Sequence, residues 1–147
     1  MSQADTYFGA APDGEQPAGV GAWYDLNHDV PPFEMAPGLL FRPIIGTNLA
    51  VNLVTLEPYT VAPVHAHQEE QISYVLEGEF EFEINGEKRV LGPGMAAVIP
   101  PHTPHGARTH DKQCVELDIF YPPRRGLLDA LKNREAQQAG DASSGTA

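Results

Sequence analysis

The sequence predicts an all-β fold, an antiparallel sandwich or barrel, and three observations carry that expectation. Short runs rich in aliphatic and aromatic residues follow one another between Leu39 and Pro122. Turn signals punctuate them at Gly46-Thr47, Gly78, Asn85-Gly86, Gly92-Pro93-Gly94 and Pro100-Pro101. One stretch, Arg125–Gln137, has a convincing helical pattern, with Leu127, Leu128 and Leu131 as its apolar stripe.

Taken in order, Leu39–Ile45 and Asn48–Leu56 are apolar runs, and Thr60–Val64 is strand-like. Gln71–Glu77 and Glu79–Ile84 flank Gly78. The second of these alternates, with Phe80, Phe82 and Ile84 on one face and Glu79, Glu81 and Glu83 on the other. Asn85-Gly86 predicts a tight hairpin, since both residue types tolerate positive φ. Lys88–Leu91, Met95–Ile99 and Gln113–Tyr121 complete the series. The last strand is apolar on both faces, with Val115, Leu117 and Ile119 on one and Cys114 and Phe120 on the other. One face is expected to fill the interior and the other to pack on a second sheet or subunit, which predicts a homodimer. Residues 1–22 are expected to form a flexible N-terminal arm, 23–135 a single domain, and 136–147 a disordered tail.

The 147 residues are enough for one domain with a proper core, and the 41% hydrophobic content fits a globular protein. No apolar run has the length of a membrane span, and Met1–Ala22 lacks the pattern of a secretory signal. Cys114, the single cysteine, fits a reducing cytoplasm. A net charge of −11 argues against nucleic acid or an anionic membrane as partner. A small anionic substrate stays open, because one metal ion and one arginine can dominate a local field.

Histidine is the informative part of the composition. His65 and His67 end the Thr60–Val64 strand, and in extended chain residues two apart point the same way, so both rings can face one ion. Gln71 opens the next strand, and His105 follows the proline-rich turn after Met95–Ile99. Three imidazoles and a carboxamide oxygen suit one divalent transition metal, with Zn, Ni, Mn and Fe all compatible. His28 and His110 are expected at the surface, and His102 in a turn near the mouth.

His65-x-His67-x3-Gln71-x6-Gly78 resembles the first motif of the cupin family, G-x5-HxH-x3,4-E-x6-G. Gly94-x5-Pro100-x-His102-x2-His105-x3-Thr109 resembles its second, G-x5-PxG-x2-H-x3-N. The resemblance implies a double-stranded β-helix, the jelly-roll or cupin barrel, with one short C-terminal helix and with His65, His67, Gln71 and His105 as metal ligands. Tyr59 and His102 stand where the motifs have glycine, Thr109 where they have asparagine, and Gln71 where they have glutamate. Whether Glu69 or Glu70 supplies the missing carboxylate stays open. Glu70 has the wrong parity in an extended chain, Glu69 needs the loop to fold inwards, and the spacing to Gly78 favours Gln71. With four neutral ligands the ion keeps its full charge, which favours Lewis-acid over redox chemistry.

On the last strand Glu116, Asp118 and Phe120 share a face with Cys114, and Arg124 follows. Glu116 taken alone reads as a solvated acid. Asp118-x-Phe120-x-Pro122-x-Arg124 resembles a segment of the small single-domain cupins of pectin degradation, which ketonise 4,5-unsaturated uronates and also use glutamine as a ligand. That resemblance implies Asp118 as acid/base group, Phe120 as a pocket wall and Arg124 as the anchor for a substrate carboxylate. The expected function is a metal-dependent isomerase or tautomerase acting on a small oxygenated anion such as an unsaturated sugar acid. Alternatives are a polyketide cyclase-like enzyme using a metal-held enolate, a metal-dependent dioxygenase, and a non-enzymatic ligand-binding cupin. Sensor cupins carry a DNA-binding domain, for which the residues after Arg125 leave no room.

Overall fold

The computed structural model describes residues 1–9, 14 and 17–144, with side chains as far as Gly140. Parts of the expected arm (10–13, 15 and 16) and tail (145–147) lie outside the described residues. Ten strands form two antiparallel sheets: β1 Phe33–Ala36, β2 Leu39–Ile45, β3 Ala50–Leu56, β4 Val61–His65, β5 Glu70–Glu77, β6 Phe80–Ile84, β7 Glu87–Leu91, β8 Ala96–Ile99, β9 His105–Arg108 and β10 Cys114–Tyr121. The larger sheet runs β1-β2-β3-β10-β5-β8 and the smaller β4-β9-β6-β7. Both sheets contribute to one core, Leu39, Val54, Leu56, Val75, Ala97, Ile99 and Cys114 from the first and Phe80, Phe82 and Leu91 from the second. This is the expected jelly roll.

Period-two burial sets which residues reach the interior. In β3 the inward residues are Ala50, Asn52, Val54 and Leu56, and in β5 they are Gln71, Ser73 and Val75. β10 lies between them, so Glu116 is flanked by Val54 and Val75, Asp118 by Asn52 and Ser73, and Phe120 by Ala50 and Gln71. A solvated edge position for Glu116 is therefore overturned: the residue is 5% exposed on a central strand.

Asn85 (φ 50°) and Gly86 (φ 81°) make the predicted hairpin between β6 and β7. Gly78 (φ 71°) is needed for a second reason, because a Cβ there would run into the Gln113 carbonyl. Tyr59 and His102, at motif positions expected to be glycine, also have positive φ, 57° and 63°. Thr109, in place of asparagine, is buried and clamps the entry to β4: its Oγ1 accepts from the Thr60 N–H at 2.9 Å and donates to the Glu57 carbonyl at 2.5 Å.

Two helices flank the sheets, α1 Gln3–Tyr7 and α2 Arg125–Ser144. The first lies in the expected arm and is closed by a capping box between Ser2 and Asp5. The second extends past Gln137, the end of the expected helical pattern, as far as Ser144. Polar, alanine-rich composition after Gln137 offers no packing face, yet nothing in it breaks a helix already nucleated upstream. Leu127 anchors α2 by packing with Ala50 and Phe120. Among the described residues no helix is long and apolar enough to cross a membrane.

Candidate metal centre and active-site cavity

The end of β4, the start of β5 and the start of β9 converge inside the sandwich. They bring His65, His67 and His105 together, with one ring nitrogen from each lying within 4.8 Å of the others. Each Nδ1 faces a backbone carbonyl: Pro63 at 2.7 Å from His65, Glu69 at 3.0 Å from His67, and Thr103 at 2.8 Å from His105. A carbonyl can only accept, so each ring carries its proton on Nδ1 and leaves Nε2 as a lone-pair donor to a metal. Gln71 Oε1 lies 3.1 Å from both His67 Nε2 and His105 Nε2.

Those contacts bring acceptor to acceptor, an arrangement that needs a cation to be favourable. The spacing fits one as well, since two donors at about 2.1 Å from an ion and at right angles stand about 3 Å apart. Burial holds His105 neutral by lowering its pKa to about 4, and burial followed by the Arg124 charge lowers that of His67. Neutral rings are what metal binding requires.

The Gln71 amide is oriented from behind. Its Nε2 donates to Ser73 Oγ at 2.9 Å and to Asp118 Oδ1 at 3.0 Å, and Ser73 Oγ donates to the same Asp118 oxygen at 2.7 Å. Of positions 69, 70 and 71, it is the Gln71 side chain that reaches the histidine cluster. Glu70 is exposed on the outer side of β5. Glu69 does fold inwards and is 2% exposed, but it lies on the Nδ1 side of His67, away from the three-histidine cluster.

A cavity of about 300 Å³ opens from this cluster. Its polar lining includes His65, Gln71, His105, Asp118, Glu116 and Arg124, and its apolar lining includes Leu39, Val54, Leu56 and Phe82. Phe120 lines the cavity too, and its ring centroid is 5.9 Å from that of His67. All the expected site residues except His67 therefore line one cavity, and His67 joins them through Gln71. His102, His28 and His110 are exposed, as expected.

Burial raises the Asp118 carboxyl above its ordinary range, opposed in part by hydrogen bonding with Glu116, Ser73 and Gln71 and by the Arg124 charge. Glu116 is raised well above the ordinary range by burial and then by the neighbouring Asp118 charge. Both carboxyls are thus raised by burial, and Asp118 is the one that accepts hydrogen bonds from Ser73 and Gln71. Glu116, Ser73 and Asn52 are residues that reading the sequence missed. The inward parity of Asp118 on β10 and Gln71 on β5 was the available signal, because it carries Glu116 and Ser73 inwards with them.

A family model for the cupin domain matches residues 52–120. The pectin degradation protein KdgF of Dickeya dadantii is 30% identical over 107 residues, covering 71% of this chain and 97% of that protein. The structure of KdgF from Halomonas sp. is 34% identical, covers 74% of this chain and 99% of that one, and has a TM-score of 0.69. The polyketide cyclase RemF of Streptomyces resistomycificus is 26% identical, covers 72% of this chain and 82% of its own, and has a TM-score of 0.63. Dimethylsulfoniopropionate lyase DddQ of Ruegeria pomeroyi is 36% identical over 79 residues, 53% of this chain, but the chain spans only 39% of that protein's length. By sequence and by architecture the chain belongs to the cupin superfamily, with small pectin-degradation cupins among its relatives.

Proposed function

We propose that this cupin is a metal-dependent isomerase that ketonises a small oxygenated anion, with 4,5-unsaturated uronates as the substrates to test first. The observation that carries the reading is the direct link from the metal-ready acceptors to the buried carboxyl of Asp118, through Gln71, inside a cavity that also holds Arg124. His65, His67, Gln71 and His105 would hold one divalent ion, whose contribution when bound is Lewis-acid stabilisation of negative charge on a substrate oxygen. Arg124 pairs with the substrate carboxylate and fixes its orientation. Phe120 walls the pocket. Asp118 takes the proton from the enol oxygen and returns it to carbon, so a C=C bond is lost, a C=O bond is gained, and no co-reactant is consumed. The similarity to KdgF over nearly all of its length supports the same reading.

The test follows the ultraviolet band of an unsaturated uronate with enzyme loaded with Zn, Ni, Mn or Fe. Asp118→Asn should lower turnover by about 10²–10⁴-fold with its metal content unchanged. Wild-type turnover in that variant would remove Asp118 from the chemistry, and inactivity of every loaded wild-type form would remove the uronate reading. Oxygen uptake by the iron form would shift the assignment to dioxygenation.

A second reading, ring closure of a polyketide-like substrate, is favoured by the apolar part of the cavity lining, since Leu39, Val54, Leu56 and Phe82 give a polyhydroxylated substrate little to bond. RemF is similar along most of its length. A cytoplasmic homodimer completes the proposal. The outer face of the larger sheet supports it, with Ile72, Tyr74, Leu76 and Val98 between 37% and 59% exposed beside half-buried Val115, Leu117 and Ile119. Sedimentation should give a dimer that Tyr74→Asp combined with Leu76→Asp converts to monomer.

A further inference from the structure

We propose that Glu69 is a positioning residue that couples metal binding at His67 to the docking of α2, and with it to the placement of Arg124 over the cavity. The proposal rests on the metal-site reading above and concerns a residue with no part in the proposed chemistry.

Glu69 is buried, and its two carboxylate oxygens face different elements. Oε1 accepts the N–H of Arg125, the first residue of α2, at 2.9 Å. Oε2 lies 3.8 Å from His67 Nδ1 and has no hydrogen-bond partner among the described residues. The same Nδ1 faces the Glu69 backbone carbonyl at 3.0 Å. One residue therefore touches the back of a candidate ligand ring with both its backbone and its side chain, and holds the first amide of the helix with its other oxygen.

The charge suits both neighbours. A carboxylate at a helix N-terminus meets the unsatisfied N–H groups and the positive end of the helix dipole. A carboxylate behind the Nδ1–H of a ligating histidine raises the electron density available at Nε2 and fixes the ring. Bound metal withdraws density from the ring and strengthens its attraction to Glu69, while a docked helix holds Glu69 where that attraction operates. Arg124 immediately precedes α2 and lines the cavity, and Leu127 packs against Phe120, so the docked helix start sets one wall of the site.

Coupling of this kind is reciprocal. The factor by which docking raises metal affinity equals the factor by which metal favours docking. Hydrogen exchange at residues 125–128 reads the docking, and zinc titration reads the affinity. In the wild type, zinc should slow exchange of these amides several-fold or more. Glu69→Ala should abolish that slowing and weaken zinc binding by about 10–100-fold, the usual effect of removing a partner behind a ligand. Glu69→Gln keeps an acceptor for the Arg125 N–H and should retain part of both effects.

Wild-type exchange at residues 125–128 that ignores zinc would overturn the proposal, and this measurement stands even if Glu69→Ala fails to fold. A folded Glu69→Ala protein with wild-type zinc affinity and wild-type slowing would also overturn it. Failure of the wild type to bind zinc, nickel, manganese or iron would instead sink the metal-site reading, and the coupling with it.

Discussion

Gln71 and Asp118 are joined side chain to side chain, the amide nitrogen of one donating to the carboxylate of the other at 3.0 Å while the amide oxygen stays turned towards His67 and His105. A glutamate at position 71 could reach the histidines but would offer Asp118 no donor. It would set two buried carboxylates face to face, and like charges so placed push at least one of them to bind a proton. Glutamine is therefore matched to Asp118 and is no defect of the motif.

Substituting Gln71→Glu should keep the metal, because a carboxylate is at least as good a ligand, but should raise the pKa of Asp118. The acidic limb of the pH–rate profile is expected to move up by about one unit or more, with turnover partly recovered at higher pH. A profile that superposes on the wild type would show that the Gln71–Asp118 bond does not control the acid.

In the metal-free protein two groups of residues give opposite pH slopes. His105 titrates at about 4 when folded and at about 6.5 when unfolded, so between these values the unfolded chain binds the extra proton. Its contribution is fully present above pH 6.5 and is lost as pH falls towards 4, by on the order of 3 kcal/mol. His67, also lowered, acts in the same direction. Glu116 is raised, so folding favours its protonated form; that contribution is present below about 4.5 and is lost as pH rises.

Glu116→Gln separates these slopes. The amide keeps the shape and removes the ionisation, so metal-free Glu116→Gln protein should melt higher than wild type at pH 7.5 and lose that advantage near pH 4. Freed of the opposing carboxyl, the variant should also show the histidine-driven acid loss more steeply. Thermal melts at pH 4, 5.5 and 7.5 in the presence of a chelator check both. An advantage that persists unchanged at pH 4 would mean that Glu116 is not held as a neutral acid.

Zinc removal itself should be visible as a fall in melting temperature, since a ligand bound only to the folded state stabilises by mass action. Wild type with and without zinc at equal pH gives the shift, and His105→Ala should abolish it. A shift of the same size in His105→Ala would place the stabilising metal elsewhere.

The strands and the histidine cluster were legible because both follow a strict local rule, alternation along an extended chain. Gln71, Asp118 and Phe120 came from that parity plus a family segment. Glu116 was misread because its polarity favours water, and what holds it inside is the central position of β10 between β3 and β5, which is a matter of topology. The contact of Glu69 with α2 was not legible for a related reason. That contact depends on where α2 begins in space, across 56 residues of sequence from Arg125.

Tyr59 and His102 carry the last expectation. Both looked like losses of a motif glycine, and both hold the left-handed backbone that glycine would take without strain, φ 57° and 63°. Each is pinned by its own backbone N–H, Tyr59 to the His110 carbonyl at 2.8 Å and His102 to the His67 carbonyl at 2.7 Å, so neither can relax without breaking a hydrogen bond. Their side chains are exposed and contribute little packing. The left-handed penalty of about 1–2 kcal/mol exceeds the cost of about 0.5–1 kcal/mol from the extra freedom that glycine gives the unfolded chain, so Tyr59→Gly and His102→Gly should each stabilise by about 0.5–1 kcal/mol. At this chain length that corresponds to a rise of about 1–4 °C in melting temperature. Because the two turns are separate, the effects should add in the double variant. Destabilisation by either substitution would mean that the side chain, and not the backbone, is what the turn needs.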